Sequence, residues 1–366
     1  MDTEILYLVA DLGTGGQERQ LFYLNKNLGE VGRKTSVAVW DFNPLDKYYI
    51  LLKELQIEVL DLNHYNSILQ KIFFLRDYIR SRNVKIFHSF SFHLNFAVFL
   101  SCIGSSCKPL GGIRSRFSLY QKDSSMLSFY LNCFTPKHQL SNNSLFNEKF
   151  RWRKLHEALN KVFIVGNALD INRFVPIPST ERSYIKTISI GRFTHEKRID
   201  LLIKMVAILK AKDIKLIHYH AGSGPLENKM KKQLCEMKCE DFFILSGNVE
   251  DIPTFLADAD IFIHAADFEG YPNVVMEAMA SGKAVVTTNC GDVSLMIDEG
   301  INGFIVPVND VESLAERVIH LYNHPELRKK MGMYGRQKAE SLFSINALRK
   351  KTLKVYHQIN TKICVE

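Results

Sequence analysis

The segment FEGYPNVVMEAMASGKAVVTT, residues 268–288, passes from a turn into a helix and then into a strand. Gly270, Pro272 and Asn273 favour a turn, and we predict that a helix begins at Pro272 or Asn273. The run AVVTT, 284–288, is continuous and rich in β-branched residues, which is typical of a strand buried on both faces. A helix that leads into such a strand indicates an α/β fold with a parallel sheet.

The same alternation of strand and helix extends from this segment along the whole chain. Further apolar runs predicted as strands lie at 4–10, 35–40, 57–60, 84–89, 110–113, 184–191, 214–220, 242–247, 260–266 and 303–308. Amphipathic segments predicted as helices separate many of them. Strands that alternate with helices form parallel sheets with helices on both faces, so we expect doubly wound, Rossmann-like sheets.

A chain of 366 residues is too long for one ordinary core, which predicts two domains. The joint is expected in the proline-containing, polar segment near 166–183. We therefore predict two facing Rossmann-like domains, at 1–165 and 166–345. The remaining segment, 346–366, is predicted as a helix that packs back on the N-terminal domain.

Composition indicates a globular, cytoplasmic protein with reduced thiols. Hydrophobic residues make up 46% of the chain and charged residues 23%. The seven cysteines are odd in number and lack CxxC spacing, so no structural zinc or other metal site is expected. The N-terminus lacks the basic start of a signal peptide. The most apolar long stretch, 86–104, is interrupted by His88, His93 and Asn95, which argues against a membrane-spanning helix.

Positive charge is concentrated in the zone 82–161, which holds twelve basic and three acidic residues, a balance of +9 within a net charge of +8. Such a zone predicts an anionic partner. The segment KFRWRKLHEALNK, 149–161, would place Trp152, Leu155 and Leu159 on one face of a helix flanked by bases. We expect peripheral contact with an anionic membrane at its inner face. The alternative is a basic helix whose apolar face packs into the first domain. Nucleic acid is not expected, because no recognition motif accompanies the charge.

Two loops that follow predicted strands have the composition of phosphate sites. DLGTGGQERQLFYL, 11–24, lets the backbone approach a ligand at Gly15 and Gly16 just before a helix. GRFTHEKRIDLLI, 191–203, carries Arg192 at a strand end and Lys197 near a helix start. Cations at a helix start oppose the helix dipole, and a bound diphosphate would resolve that mismatch.

Two further loops add to this pattern. AGSGPLENKM, 221–230, places Gly222 after another strand. In FEGYPNVVMEA the helix start would present the amides of Asn273 and Val274 to a phosphate. Glu277, one turn later, suits a ribose diol, and Glu269 could reach the hydroxyls of a sugar.

These motifs together resemble the retaining family 4 glycosyltransferases, which have the GT-B fold. Glu269 and Glu277, separated by seven residues, resemble the EX7E motif of that family. GRFTHEK resembles its G-R-x(4)-K element, AGSGP its G-x-G-P loop, and GTGGQER its N-terminal glycine loop. NALDINRF resembles its linker, with Ala168 where the family usually has glycine. The matches cover residues 11 to about 308 in the family's order.

The resemblance implies transfer of a sugar, with retention, from a nucleotide donor, UDP-sugar in our expectation, to a saccharide or lipid-linked saccharide in cell-surface polysaccharide synthesis. No metal or other cofactor is implied. The donor would lie mainly in the second domain and the acceptor in the first. The residues implied as donor-binding are Gly15, Gly16, Arg192, Lys197, Gly222, Gly270, Asn273, Val274 and Glu277. Glu269 would touch the transferred sugar.

The position of a functional histidine remains open between two candidates. The family often has such a histidine after its fourth N-terminal strand, where this chain offers His88 and His93 in FHSFSFHLNF. A neutral histidine there could donate a hydrogen bond to a sugar hydroxyl or to the leaving oxygen. Two other functions also remain open: another nucleotide-sugar enzyme such as a 2-epimerase, and a non-catalytic binding subunit.

Overall fold

A computed structural model describes residues 4–114, 125–144, 153–177, 182–361 and 363. The chain divides into two compact units, one formed by Met1–Ala168 with Ile345–Glu366 and the other by Leu169–Ser344. Each unit has its own sheet and its own buried core.

The first unit contains a seven-stranded sheet with the order β3-β2-β1-β4-β5-β6-β7, in which every neighbouring pair is parallel. In the strands ILYLV, 5–9, and TSVAV, 35–39, the side chains on both faces of the sheet are buried. The strands are β1 Ile5–Val9, β2 Thr35–Val39, β3 Glu58–Asp61, β4 Ile86–Ser89, β5 Lys108–Ile113, β6 His138–Ser141 and β7 Lys161–Ile164.

Helices connect these strands, and one helix from the end of the chain joins them. Among the described residues they are α1 Gly16–Glu30, α2 Lys47–Glu54, α3 Ile68–Ser81, α4 Asn95–Cys102, α5 Met126–Phe134, α6 Arg153–Leu159 and α14 Ile345–Ile359. The last of these, α14, buries Leu353 and Tyr356 in the core formed around β1. The Tyr356 hydroxyl lies 2.8 Å from Nδ1 of His88 on β4.

The second unit contains a six-stranded, all-parallel sheet with the order β10-β9-β8-β11-β12-β13. The sequence order reverses between β8 and β11, which creates the crevice where open α/β sheets bind ligands. The strands are β8 Ile185–Ile190, β9 Leu216–Ala221, β10 Phe243–Gly247, β11 Ile261–His264, β12 Ala284–Thr288 and β13 Gly303–Val306.

The described helices of the second unit cover its sheet. They are α7 Ile199–Ala211, α8 Glu227–Glu236, α9 Ile252–Ala257, α10 Asn273–Ala280, α11 Val293–Met296, α12 Val311–Asn323 and α13 Pro325–Phe343. Helix α10 is buried along most of its length, with Val275, Met276, Ala278, Met279 and Ala280 in the core. Its small and flexible side chains let it pack closely against α13 and β12.

The predicted fold class, α/β with doubly wound parallel sheets, is confirmed. Strands β6 and β7 were not predicted. β6, HQLS, is polar, and its buried Gln139 is satisfied by donating to the carbonyls of Cys133 and Pro136 instead of by apolar packing. A strand stabilised in this way has no hydrophobic run for a sequence pattern to reveal.

None of the helices in the described ranges combines the length and the apolar character that a membrane crossing requires.

Candidate functional site

The glycine loop after β9 lies directly on the loop after β8. A Cβ on Gly222 would lie 1.9 Å from the carbonyl oxygen of Gly191, and Gly222 has a φ of +147°. A Cβ on Gly224 would lie 2.7 Å from the amide nitrogen of Phe193. The Phe193 amide donates to the carbonyl of Ser223 over 3.1 Å. Glycine is therefore required here for close backbone approach, which fixes the position of the loop that carries Arg192.

Two buried histidines, His218 and His220, hold the loop after β8 in place through a chain of hydrogen bonds. Nε2 of His220 lies 3.0 Å from the Gly191 carbonyl, an acceptor, so this nitrogen carries a proton. Nδ1 of His220 then accepts from the Ser189 hydroxyl over 2.7 Å, and Ser189 accepts from Nε2 of His218 over 2.8 Å. Nδ1 of His218 accepts from Thr187 over 2.9 Å. Every partner is matched, so both rings are neutral and their tautomers are fixed.

The predicted cations occupy this loop in two different environments. Arg192 is exposed, and its guanidinium has no hydrogen-bond partner among the described residues. Lys197 is half-buried at the end of a 3-10 turn, His195–Lys197, and its Nζ donates to Oε1 of Glu269. The structure therefore brings Lys197 and Glu269 into direct contact at the carboxyl edge of the second sheet.

A residue that the sequence analysis did not single out, His264, completes this cluster. It ends β11 and is only 4% exposed. Its Nε2 lies 3.3 Å from Oε1 of Glu269, and its Nδ1 lies 3.1 Å from the Thr287 hydroxyl. The available signal was a polar residue that ends a buried strand five residues before Glu269.

The ionisation of Glu269 is set by these neighbours. Burial raises the pKa of the Glu269 carboxyl, but His264 and Lys197 outweigh burial and bring the pKa to about 2. Burial lowers the pKa of His264, and the Cys290 sulfur and Glu269 reverse this and raise the pKa to about 9. At neutral pH the site therefore contains a carboxylate between two cations.

The turn and helix that follow Glu269 have the predicted arrangement. Gly270 accepts a hydrogen bond from the Asp292 amide over 3.1 Å, and a Cβ on Gly291 would lie 2.6 Å from the Glu269 carbonyl oxygen. Intrahelical bonding in α10 begins when the amides of Val275 and Met276 donate to Pro272.

The amides of Asn273 and Val274 precede these bonds at the helix N-terminus. Glu277 lies one turn further along α10 and is 8% exposed. The helix thus combines amides that suit a phosphate with a carboxylate that suits a diol.

In the first unit, the glycine turn begins α1 and is tied to the loop after β4. Gly15 is the N-cap of α1 and Gly16 its first residue, and both are exposed. Nε2 of Gln17 donates to the Ser91 hydroxyl oxygen over 3.0 Å, and the Ala10 amide donates to the same oxygen over 3.0 Å. Side chains from α1 and from the segments that follow β4, β5 and β6 line a cavity of about 480 Å³ here, including Gln17, Glu18, His93, Arg114 and Asn142.

The two candidate histidines lie in different places. His88 is 0% exposed and lies among Tyr7, Phe90 and Tyr356, and burial keeps its pKa well below the ordinary value. His93 is exposed in a 3-10 turn, Phe92–Leu94, and lines the 480 Å³ cavity. His88 therefore has the surroundings of a core residue, and only His93 is placed where a ligand could meet it.

Asp258 and Asp260, which have Asp-x-Asp spacing, lie just before β11, at the amino edge of the second sheet. Asp258 accepts from Arg182 over 2.7 Å and from Lys186 over 2.5 Å, and Asp260 accepts from the Lys186 amide over 2.7 Å. This edge is opposite to the carboxyl edge that carries Glu269. These acids are used in structural ion pairs.

The basic amphipathic segment is described only from residue 153 onward, so 149–152, including Trp152, lie outside the described residues. Within α6, Leu155 is 46% exposed and Leu159 is 53% exposed, whereas His156 is fully buried. Nε2 of His156 lies 3.2 Å from Oε1 of Gln139. Leu155 and Leu159 therefore do not pack into the first domain as the alternative expects, and His156 occupies the buried side of the helix instead.

Residues 173–338 match the family model described as glycosyl transferases group 1. WcaL of Escherichia coli, named as a candidate colanic acid biosynthesis glycosyltransferase, is 28% identical over 177 residues, which are 46% of this chain and 44% of WcaL. The capsular polysaccharide biosynthesis glycosyltransferase CapM of Staphylococcus aureus is 27% identical over 229 residues, which are 60% of this chain and 51% of CapM. The matches thus span about half the length of these two relatives.

The crystal structure of Anabaena HepE in complex with UDP has a similar fold. Its TM-score is 0.80, and the match covers 97% of this chain and 100% of HepE at 15% identity. At this identity the likeness concerns the fold alone. The chain thus has two parallel-sheet units of the GT-B type, and its residues 173–338 are similar to the glycosyl transferases group 1.

Proposed function

We propose that this chain is a retaining glycosyltransferase that moves a sugar from a UDP-sugar to a saccharide or lipid-linked saccharide acceptor in the synthesis of a cell-surface polysaccharide. The observation that carries the proposal is the contact of Lys197 with Glu269 beside the exposed Arg192, within the segment that matches the family. An anionic donor would meet two cations and a charged carboxylate at one sheet edge.

The second unit supplies the groups for the donor. Arg192 and Lys197 would hold the diphosphate together with the helix start at Asn273 and Val274. Glu277 would accept the ribose hydroxyls, and Glu269 would accept a hydroxyl of the transferred sugar. Gly222 and Gly270 would contribute by letting the backbone approach the donor. Three similar proteins support this proposal. WcaL is named for colanic acid biosynthesis and CapM for capsular polysaccharide biosynthesis, and the HepE structure is a complex with UDP.

The first unit would supply the remaining contacts. We assign Gly15 and Gly16 to the diphosphate, and His93 to a hydroxyl of the sugar or to the leaving oxygen. Glu18 lines the same cavity, and burial raises the pKa of its carboxyl. A polar cavity with donors and acceptors from Gln17 and Asn142 suits a saccharide acceptor.

We further propose that donor binding needs no divalent metal, because Arg192, Lys197 and the α10 N-terminus supply the positive potential that a diphosphate requires. Isothermal titration with UDP in the presence of EDTA should give the same affinity as titration with magnesium or manganese. A strict requirement for either ion would contradict this part of the proposal.

The activity is tested by screening UDP-sugars against saccharide and lipid-linked saccharide acceptors. Proton NMR of the first product formed should show the anomeric configuration of the donor. Inversion would overturn the retaining mechanism. UDP binding without transfer from any donor would favour a non-catalytic binding subunit, and interconversion of the free donor would favour an epimerase.

The part of the first unit around the edge strands β6 and β7 also carries a surface suited to an anionic membrane, which we call the α5–α6 surface. It is defined by the exposed apolar residues Leu131, Leu155, Leu159 and Ile164 with Lys137, Lys154 and Lys161. Lys137 lies just before β6 and Lys161 is the first residue of β7. The two residues are neighbours, because the Lys161 amide donates to the Lys137 carbonyl over 2.8 Å. Exposed leucines beside lysines can bury in the interface while the ammonium groups meet lipid phosphates.

We propose that this surface brings the enzyme to lipid-linked acceptors at the inner face of the membrane. Sedimentation with vesicles of phosphatidylglycerol and phosphatidylcholine should show binding that weakens in high salt, since each base adds about 1 kcal/mol near an anionic leaflet. The variant Lys137→Glu/Lys154→Glu/Lys161→Glu should lose binding, and Lys350→Glu/Lys354→Glu on α14 serves as the matched control. No binding of the wild type at low salt would refute the membrane contact and leave sugar transfer unaffected.

A further inference from the structure

We propose that His264 is the positioning residue for Glu269: a buried imidazolium that holds one oxygen of this carboxylate when Lys197 is drawn away by the diphosphate of the donor. The first half of this inference concerns the free protein alone, and the second half rests on the proposed function. His264 would act through Glu269 and would not itself touch the sugar.

The hydrogen-bond partners of the His264 ring favour two protons on it. The Thr287 hydroxyl donates its single proton to the Thr288 carbonyl over 3.1 Å, so it can only accept from Nδ1 of His264. On the other side Nε2 faces Oε1 of Glu269, a carboxylate oxygen that also accepts from Lys197. With the Thr287 hydroxyl in that orientation, a neutral ring would set a lone pair against one of these partners.

The titratable groups facing His264 are few within the described residues. Glu269 lies on one side and the Cys290 sulfur, 3.9 Å from Nδ1, on the other, with Lys197 beyond Glu269. The upward shift of the His264 pKa to about 9 agrees with the geometry. His264 therefore stays charged at neutral pH although it is 4% exposed.

The two cations meet the same oxygen of Glu269, which leaves the other oxygen for a substrate hydroxyl. Both Nζ of Lys197 and Nε2 of His264 contact Oε1, and no described residue donates a hydrogen bond to Oε2. Glu269 is 17% exposed and Lys197 is 21% exposed, so both border open space. When a buried cation holds Oε1, the carboxylate keeps Oε2 in a more fixed position than when only a flexible lysine holds Oε1.

Donor binding would change the contacts that Lys197 and His264 make with Glu269. A diphosphate carries more charge than Glu269 and competes for Lys197, so the contact between Lys197 and Glu269 must weaken. A largely buried carboxylate left without a cation would take up a proton or move away. His264 prevents both outcomes because it cannot leave: its ring is held by Thr287 inside the sheet.

NMR on protein labelled with ¹⁵N-histidine tests the ion pair without any assumption about activity. The His264 signals are identified by their loss in His264→Gln. We expect both ring nitrogens to be protonated at pH 7, with a pKa near 9 in the free protein. Glu269→Gln should lower the pKa of His264 and shift the ring toward the neutral form, because the carboxylate no longer offsets burial and the Cys290 sulfur is left as the other group that raises this pKa, whereas addition of UDP to the wild type should leave the ring charged. A ring that is neutral at pH 7, or that ignores Glu269→Gln, would overturn the proposal.

Kinetics test the positioning role. With a UDP-sugar that the screen described above identifies as a donor, His264→Gln should lower kcat by as much as about 100-fold, with the Kd for UDP changed less than about twofold. Wild-type kcat should fall as the pH rises through about 9, where His264 loses its proton, and His264→Gln should lack this decline. His324→Gln, in an exposed loop, is the matched control.

A His264→Gln variant with wild-type kcat would refute the positioning role. If no UDP-sugar is transferred at all, the proposed function fails, and the NMR measurements still decide whether His264 holds Glu269 as an imidazolium.

Discussion

At the scale of single residues, Glu269 and Glu277 carry the same charge in different settings. Glu269 lies before α10 between two cations, whereas Glu277 lies inside α10 and is 8% exposed. The spacing of seven residues between Glu269 and Glu277 was recognisable in the sequence. His264 was not, because a lone histidine at the end of a strand is indistinguishable from a core residue until Thr287 and Glu269 are brought beside it.

The two glutamates should therefore respond differently to removal of their charge. Glu277→Gln should weaken UDP binding, because a ribose contact exists before and during transfer. Glu269→Gln should mainly lower kcat, because its contact with the sugar strengthens as charge develops. Calorimetry with UDP and steady-state kinetics separate the two effects. Equal and small effects of both substitutions would indicate that neither residue touches the donor.

Arg192 offers a second test at this scale. It is exposed and has no hydrogen-bond partner among the described residues, so its removal should disturb little besides the donor. Arg192→Ala should weaken UDP binding by roughly 1.5–3 kcal/mol, the contribution of a hydrogen bond to a charged group. Arg317→Ala, an exposed arginine on α12, is the control. Unchanged UDP affinity in Arg192→Ala would remove the guanidinium from the donor site.

At the scale of elements, the site depends on how neighbouring strand ends are fixed against each other. The predicted strands of the second unit agree with the observed ones to within two residues at each end, because their runs are apolar and continuous. The hydrogen-bonded chain from Thr187 through His218, Ser189 and His220 to Gly191 could not be predicted. It depends on the register of β8 with β9, which no local pattern specifies.

This chain of hydrogen bonds predicts acid sensitivity. Burial lowers the pKa of His220 to about 4, and that of His218 well below its ordinary value. An unfolded histidine titrates near 6.5, so protonation favours the unfolded state: stability is full above pH about 6.5 and is lost as the pH falls toward 4. For His220 the loss between pH 7 and pH 5 should be roughly 2 kcal/mol.

Urea unfolding of the wild type, His220→Gln and His324→Gln at several pH values measures this loss. His220→Gln should be less stable at pH 7 but should depend less on pH, and His324→Gln should keep the wild-type slope. His264 acts with the opposite sign, since its raised pKa gives stability that is full below about 6.5 and lost as the pH rises through about 9. The same slope in all three proteins would show that the pKa of His220 does not differ between the folded and unfolded states.

At the scale of the whole molecule, the chain leaves its first unit after Ala168 and returns to it at Ile345. The return brings α14 into the core around β1 and α1, where Leu348, Leu353, Val355 and Tyr356 are buried. The amphipathic period of this segment predicted a packing helix. Its hydrophobic face is complementary to strands more than 250 residues earlier in the chain, a partnership that only the folded structure specifies.

Tyr356 is the anchor of this return, because it is 0% exposed and its hydroxyl lies 2.8 Å from Nδ1 of His88 and 3.1 Å from the Tyr7 hydroxyl. Tyr356→Ala should destabilise the first unit by about 3–5 kcal/mol, as expected for loss of a buried aromatic ring. Tyr356→Phe keeps the ring and loses only the hydroxyl contacts, so its cost should be about 1–3 kcal/mol.

Hydrogen exchange followed by mass spectrometry localises the effect of these substitutions. In Tyr356→Ala, exchange should rise in peptides from β1, β4 and α14, while peptides from β8, β11 and β12 should keep their wild-type protection. The two units have separate cores, so a lesion in one core is expected to raise local opening there first. Equal loss of protection in both units would show that they unfold as one cooperative body, and α14 would then stabilise the entire molecule rather than the unit in whose core it is buried.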